Sequence, residues 1–221
     1  MKKLIHFIPN ALTLSNLMCG TVAIIFAFDN RFEYVFWAVI AAAFFDFFDG
    51  AAARMLNAHS PIGGDLDSLA DMVSFGLAPS LAVYSLLAPF GWVAYLGLMM
   101  IPGAALRLAK FNIDERQHTE FLGLPTPAMA LFFVSFIFTA LFLPSLWIMV
   151  ALIVIMTVLM VCNMPMFSLK FANFSWHDNV LRYLFLGSVV LIILLTNDVY
   201  MVPWVSIALY IVVSFVRWIV R

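Results

Sequence analysis

The sequence predicts an all-α integral membrane protein with about eight transmembrane helices and both termini in the cytoplasm. Of the 221 residues, 65% are hydrophobic and only 10% are charged, whereas an ordinary soluble domain carries roughly 25% charged residues. The apolar residues come in runs near the length of about 20 residues that a membrane span needs. A soluble core of this size could not bury so much apolar surface, so a soluble enzyme or binding module is excluded.

Eight apolar stretches are candidate spans, and polar or turn-forming segments such as "DNRFE", "APFG" and "NIDERQHTE" separate them. The break at 143–145 is short. If it is a kink and not a turn, there are seven spans and the orientation of the C-terminus is reversed. The predicted spans are 11–28, 33–56, 62–88, 91–111, 123–143, 145–162, 179–196 and 202–220.

The distribution of basic residues predicts the orientation, because cytoplasmic loops are enriched in Lys and Arg. With eight spans and a cytoplasmic N-terminus, only Arg31 of the 11 Lys and Arg residues lies outside. The opening "MKKLIHFIPNALTLSNLMCG" is interpreted as a retained cytoplasmic start and not a cleaved signal peptide. We therefore expect one polytopic domain over 1–221. The predicted cytoplasmic residues are Lys2, Lys3, Arg54, Arg107, Lys110, Arg116, Lys170, Arg182, Arg217 and Arg221.

Five aspartates occur in the stretch "DFFDGAAARMLNAHSPIGGDLDSLAD" at 46–71, although the flanking sequence is almost purely apolar. Asp46 and Asp49 are spaced i, i+3 near the end of the second span, and Asp67 and Asp71 are spaced i, i+4 near the start of the third. Each pair therefore faces one way from its helix. Since the connection is short, we expect antiparallel neighbouring helices and four converging carboxylates. Asp65 falls off this pattern and is interpreted as a solvated interfacial charge.

Clustered carboxylates in a membrane need compensation, because a single Asp at mid-bilayer costs at least ~2.5 kcal/mol on insertion scales. A divalent cation provides it, and a set of oxygen ligands suits Mg²⁺, Mn²⁺ or Ca²⁺. One such Asp can simply pair with an Arg, but four at two-helix spacing favour a metal site. A small ion that keeps open positions commonly holds substrate phosphates.

The residues around the aspartates suit an anionic ligand. Gly50 follows Asp49 directly and leaves room near the backbone, and the planar guanidinium of Arg54 suits phosphate. Ser60 and Pro61 form an N-cap and N1 pair that predicts a helix start, where free N–H groups favour anions. Gly63 would keep that helix start slim.

The pattern Asp46-x₂-Asp49-Gly50-x₂-Ala53-Arg54-x₈-Gly63-x₃-Asp67-x₃-Asp71 resembles, position by position, the signature of the CDP-alcohol phosphotransferases. Four further segments are similar to the phosphatidylserine synthase branch of that family. The segments are "PNALTLSNLMCG", "GGDLDSLADMVSFGLAP", "RLAKFN" at 107–112 and "GLPTP" at 123–127.

The resemblance implies transfer of a phosphatidyl group from a CDP-linked lipid (CDP-diacylglycerol or an archaeal analogue) to the hydroxyl of L-serine, with release of CMP. It implies a homodimer whose site opens to the cytoplasm, and Mg²⁺ or Mn²⁺ held by Asp46, Asp49, Asp67 and Asp71. Asp71 is also the implied catalytic base. The residues expected to contact the CDP-lipid are Pro9, Asn10, Thr13, Asp46, Gly50, Arg54, Ser60 and Gly63.

The serine pocket is a separate expectation. Arg107, Lys110 and Asn112 lie at the cytoplasmic end of the fourth span and could bind the serine carboxylate. Basic residues there are also what topology alone requires. Residues 1–127 would carry all the substrate and metal sites, and 128–221 would supply the remaining helices and possible dimer contacts.

Two alternatives remain open from the residues. The acceptor could be inositol phosphate, glycerol phosphate or choline, because the carboxylate cluster concerns only the donor. The protein could instead be a divalent-cation transporter, since intramembrane carboxylates mark ion pathways too. Transporters usually place such groups at the midplane in repeated halves, whereas these carboxylates cluster at one end of two helices.

Overall fold

The computed structural model describes residues 7–56, 61–113, 121–140, 146–167 and 175–220. These residues are almost entirely helical, as the sequence predicts. Within the described ranges, four helical stretches are long and apolar enough to cross a membrane: Phe7–Phe28, Phe32–Met55, Gly63–Ile113 and Met201–Val220. Three shorter apolar helices accompany them.

Nine α-helices are present in the described residues, and we number them in chain order. A π-helical segment, Met72–Leu77, joins α3 to α4, and a 3₁₀ segment, Ala88–Met99, joins α4 to α5. The helices are α1 Phe7–Phe28, α2 Phe32–Met55, α3 Gly63–Asp71, α4 Ala78–Leu87, α5 Met100–Ile113, α6 Thr126–Ala140, α7 Leu146–Val161, α8 Trp176–Leu195 and α9 Met201–Val220.

Each predicted span overlaps a described helix, but two starts are shifted. Helix α3 begins at Gly63 with Ile62 as its N-cap, and Pro61 lies in a turn; the predicted start at Ser60–Pro61 is therefore wrong, and Ser60 itself lies outside the described residues. Helix α6 begins at Thr126 and not at 123, because Gly123 is left-handed (φ 76°) and Pro125 disfavours helical geometry at Leu124.

The predicted break in "APFG" is a chain reversal. Phe90 and Gly91 leave helical geometry, and Gly91 has φ 65°, a left-handed conformation that glycine adopts without steric cost. The 3₁₀ segment then packs back along α4. The other short break, at 143–145, lies outside the described residues.

Helix α1 is the centre of the carboxylate-bearing half. Both α2 and the α3–α4 helix pack mainly on α1, and they contact each other much less. The expected direct packing of the second and third helices is therefore only a minor part of the contact. Because α1 lies against both, the carboxylate ends of α2 and α3 are held together through a third helix.

The π-helical segment begins directly after Asp71. Pro79 follows it by two residues, and a proline removes one backbone N–H and clashes with the carbonyl four residues earlier. Widening the helix over Met72–Leu77 accommodates that clash. Such π segments are frequent at functional sites, and this one lies just beyond the last signature aspartate.

Two short strands join the segment before α6 to the segment after α7. Strand β1 (Phe121–Leu122) pairs antiparallel with β2 (Pro165–Met166). The backbone N–H of Gly123 donates to the Met164 carbonyl at 2.9 Å. Helix α9 reaches this region, where the Tyr210 hydroxyl donates to the Phe167 carbonyl at 3.0 Å. The C-terminal helix is thereby anchored beside the end of α7.

Gly20→Ala is expected to loosen α1 from the helix that carries Asp71. A Cβ at Gly20 would lie 2.6 Å from the Ser74 Cα, so backbone must move, and overpacking of this kind costs about 1–3 kcal/mol. We expect a lower melting temperature in detergent, measured by loss of the monodisperse size-exclusion peak after heating. Gly187→Ala is the control, because a Cβ there meets nothing within 4 Å; equal melting of both variants would contradict the close contact.

Candidate metal centre

Three carboxylates meet between the end of α2 and the start of α3. Oxygens of Asp46, Asp49 and Asp67 all lie within 4.8 Å of one another. Asp49 is buried at 7% exposure, and the other two are partly buried. The i, i+3 spacing in α2 and the position of Asp67 in the second turn of α3 bring them to one point, as the sequence predicts.

Asp71 lies one turn deeper and extends the cluster. It is 9% exposed, and its carboxyl group lies within hydrogen-bond reach of that of Asp46. Two carboxylates in such contact repel unless a proton or a cation lies between them. Asp65 is exposed, which agrees with its interpretation as a solvated charge.

The residues present fit a divalent cation. The Asp67 Oδ1 atom is buried and has no hydrogen-bond partner among the described residues, and such an orphaned oxygen is costly unless something binds it. Ligand oxygens lie about 2.0–2.6 Å from Mg²⁺ or Ca²⁺, so two ligands of one ion are at most about 4–5 Å apart. The separations of 4.8 Å or less between these oxygens are compatible with a shared ion. The donor set is oxygen only, which suits hard cations and not zinc.

Two polar side chains of α1 donate hydrogen bonds to these carboxylates. The Thr13 hydroxyl donates to Asp49 Oδ2 at 2.7 Å, and the Asn16 Nδ2 donates to Asp71 Oδ1 at 3.2 Å. Both residues are buried. Groups that hydrogen-bond metal-ligating carboxylates fix their orientation. Helix α1 thus contributes one contact to each pair of aspartates.

Sequence reasoning assigned Thr13 to the CDP-lipid and did not single out Asn16 as a site residue. The available signal was their spacing. Thr13 and Asn16 are three residues apart in an otherwise apolar helix, so they share a face. A buried polar pair at that spacing indicates polar partners on the neighbouring helices, but it does not identify which ones.

The predicted CDP-lipid residues differ in how accessible they are, and the backbone is open at two glycines near the cluster. A Cβ added at Gly50 would meet only Arg54 Nη1, at 3.6 Å, and Arg54 is exposed. At Gly64 a Cβ would meet nothing within 4 Å, so the start of α3 is open there. Pro9 is buried, and its carbonyl lies 3.1 Å from the Thr13 hydroxyl. Of the other predicted CDP-lipid residues, Asn10 is partly buried in α1 and Gly63 lies at the start of α3, while Ser60 lies outside the described residues.

Arg107 is the buried cation of the site. It is 5% exposed in α5, and its guanidinium lies over the Phe111 ring with the Cζ 4.7 Å from the centroid. Its Nε has no hydrogen-bond partner among the described residues. The charge interacts with Asp71 and with Tyr210 of α9. The structure therefore places an incompletely satisfied donor near Asp71, and Tyr210 is a neighbour that sequence reasoning missed.

Lys110 and Asn112 engage other groups. The Lys110 ammonium donates to the Val161 carbonyl at 2.8 Å, at the end of α7, where a cation also interacts favourably with the helix dipole. The Asn112 Nδ2 donates to the Ser68 hydroxyl at 2.8 Å. Ser68 follows Asp67 directly, so Asn112 ties the end of α5 to the metal-site helix.

Residues 6–162 match the family model described as CDP-alcohol phosphatidyltransferase. The chain belongs to this family. The matched range contains all four converging aspartates together with Thr13, Asn16 and Arg107, and it ends at the last turn of α7.

Individual family members are similar over between 62% and 97% of the chain. A CDP-diacylglycerol–serine O-phosphatidyltransferase of Bacillus subtilis (strain 168) is 38% identical over 143 residues, covering 62% of this chain and 80% of the relative. One of Helicobacter pylori (strain J99) is 32% identical over 225 residues, covering 97% and 92%. An archaetidylserine synthase of Methanothermobacter thermautotrophicus is 32% identical over 163 residues, covering 70% of each.

Proposed function

We propose that this protein is a phosphatidylserine synthase, which transfers the phosphatidyl group from a CDP-linked lipid to the hydroxyl of L-serine and releases CMP. The convergence of the signature aspartates carries this proposal, because a pyrophosphate donor needs cationic neutralisation as CMP leaves. The names of the three relatives above support serine as the acceptor.

On the donor side, Asp46, Asp49, Asp67 and Asp71 would hold divalent metal, Mg²⁺ or Mn²⁺. When bound, the metal supplies charge neutralisation for the pyrophosphate. Of the chain's own groups, the Arg54 guanidinium binds a phosphate oxygen, and the open backbone at Gly50 and Gly64 lets the nucleotide approach. Pro9, Asn10, Thr13, Ser60 and Gly63 complete the proposed donor site.

On the acceptor side, Asp71 accepts the proton of the serine hydroxyl. The hydroxyl oxygen forms a bond to the lipid-side phosphorus, and the phosphoanhydride bond to CMP breaks with its electron pair on the leaving phosphate. Asp71 is buried beside Asp46, which limits the access of water to this carboxylate. A base within hydrogen-bond reach typically contributes 10²–10⁴-fold to such a step.

The serine carboxylate needs a cation, and we propose Arg107 for it. Its buried guanidinium has an unsatisfied Nε and lies near Asp71, so a small molecule could contact both groups. Lys110 and Asn112 line the same end of α5 and remain candidates for weaker contacts.

The topology proposed for the membrane is eight spans with both termini in the cytoplasm and the site facing the cytoplasm. Arg54 lies in the last turn of α2 and Lys110 in the last turn of α5, at the helix ends that flank the aspartates, which is the placement the positive-inside rule favours. We further propose a homodimer, with substrate sites in 1–127 and possible dimer contacts in 128–221.

The acceptor is tested by supplying the purified protein with CDP-diacylglycerol, Mg²⁺ and one alcohol at a time, and following CMP release. We expect metal-dependent release with L-serine and little with inositol phosphate, glycerol phosphate or choline. Metal-dependent release with another alcohol but not with serine would overturn the assignment of the acceptor and leave that of the donor intact.

Arg107→Ala is expected to raise the apparent KM for serine by about 10- to 100-fold, the range for losing a hydrogen bond to a charged group, with little change in CDP-lipid affinity. Lys110→Ala is the comparison and should raise that KM less, because its ammonium engages the Val161 carbonyl. Initial rates over a serine titration measure both. An unchanged KM for Arg107→Ala would remove Arg107 from the serine site.

A further inference from the structure

Asn16 is a buried amide with only half of its hydrogen-bonding capacity in use. Its side chain is 0% exposed in an apolar helix. The Nδ2 donates to Asp71 Oδ1 at 3.2 Å, but the Oδ1 is buried with no partner among the described residues. An unsatisfied buried acceptor costs about 1–3 kcal/mol, so this oxygen calls for a donor.

The position of Asn16 is fixed by the packing of α1 on the π-helical segment. The Ser74 hydroxyl donates to the Asn16 backbone carbonyl at 2.9 Å. One turn further along, Gly20 is so close to Ser74 that a Cβ would overlap it. The two helices are therefore in contact at the level of the amide, which keeps the orphaned oxygen beside Asp71.

The neighbouring groups do not provide the missing donor. Asp71 and Asp46 are carboxylates that accept hydrogen bonds, and the Thr13 hydroxyl is directed to Asp49 Oδ2 at 2.7 Å. The phosphates, which are the part of the donor lipid that the carboxylate cluster would hold through metal, carry no N–H group. An amino-alcohol acceptor does carry one, and in serine the ammonium is on the carbon adjacent to the one that bears the hydroxyl.

We propose that Asn16 is a specificity-determining residue, whose Oδ1 accepts a hydrogen bond from the ammonium of the acceptor while its Nδ2 orients Asp71. The inference rests on the proposed function, since Asp71 must face the acceptor hydroxyl. The Asn16 Oδ1 then contacts the serine ammonium, and the Nδ2 orients the Asp71 carboxylate that faces the adjacent serine hydroxyl. In this proposal Arg107, whose charge interacts with Asp71, binds the carboxylate, so serine is held at three points.

Acceptor analogues test the ammonium contact directly. 3-Hydroxypropionate keeps the hydroxyl and carboxylate of serine but lacks the amino group. We expect the native protein to favour serine over it by about 10- to 100-fold in kcat/KM, the range for a charge-assisted hydrogen bond. In Asn16→Ala this preference should fall to within about threefold. Where 3-hydroxypropionate turns over too slowly, its inhibition constant against serine is compared with the serine KM.

Two further variants keep the comparison interpretable. Asn16→Ser retains a small polar group and should keep part of the preference, and it replaces Asn16→Ala if that variant does not purify as a monodisperse species. Ser15→Ala is the matched control, because the Ser15 hydroxyl donates within its own helix to the Ala11 carbonyl at 2.9 Å. The control should retain the native preference.

The outcomes separate this inference from the proposed function. If native protein releases CMP with serine but the Asn16 variants lose activity equally with both acceptors, Asn16 only positions Asp71 and the ammonium contact is wrong. If they instead need more Mg²⁺ for half-maximal rate at unchanged preference, the Oδ1 is a metal ligand and the inference is again wrong. If native protein gives no CMP with serine, the proposed function fails and the inference fails with it.

Discussion

Asp67→Asn is expected to abolish metal-dependent CMP release, with a loss of at least about a hundredfold. The substitution keeps the size of the side chain but removes the charge of the group whose buried Oδ1 has no partner among the described residues. The remaining carboxylates would hold a divalent ion more weakly, so binding and turnover should fall together. Initial rates over a Mg²⁺ titration, with calorimetric titration of the metal, measure both.

The control for this substitution is Asp65→Asn, two residues earlier in the same helix. Asp65 is exposed and lies outside the cluster, so removing its charge should leave the metal dependence and the rate close to native. A comparable loss in both variants would mean that general negative charge at the start of α3 matters, and not a ligand at the position of Asp67.

Asp71→Asn is expected to reduce turnover far more than donor affinity. As the proposed base, Asp71 is needed when the serine hydroxyl attacks, and loss of a general base typically costs 10²–10⁴-fold. Asp46, Asp49 and Asp67 would remain to hold the metal. Their carboxylate oxygens lie within 4.8 Å of one another. CMP release at saturating serine and Mg²⁺ measures kcat, and CDP-lipid binding is measured separately.

A parallel fall of kcat and CDP-lipid affinity would contradict the assignment of Asp71 as base and make it chiefly a metal ligand. Thr13→Val offers a useful contrast. It removes the 2.7 Å hydrogen bond to Asp49 at nearly constant shape, and groups behind metal ligands typically contribute 10- to 100-fold in affinity or activity. Its effect should therefore appear in the metal titration.

The arrangement of the aspartates was predictable because spacing along a helix determines which side chains share a face. Asp46 with Asp49, and Asp67 with Asp71, needed only the correct helical register to converge, and the exclusion of Asp65 followed from the same rule. The binding of metal by these residues is a prediction that the geometry supports and the substitutions above test.

The support from α1 was not predictable in the same way. Thr13 and Asn16 share a face, but their partners depend on the packing of α1 on two other helices, which periodicity does not specify. The helix start predicted at Ser60–Pro61 was wrong, because α3 begins at Gly63 and a local capping pattern does not define a helix end to within one or two residues. The contact of Lys110 with the Val161 carbonyl was not predictable from local spacing either, because the two residues are 51 positions apart in the sequence.

One measurement tests the central claim most directly: incorporation of labelled L-serine into lipid by purified protein in CDP-diacylglycerol liposomes, with CMP counted in the same reaction. We predict phosphatidylserine and CMP in equal amounts, none after chelation of divalent cations, and recovery when Mg²⁺ or Mn²⁺ is restored. Serine-independent cation flux across the liposome membrane, with no labelled lipid formed in the presence of metal, would contradict the account.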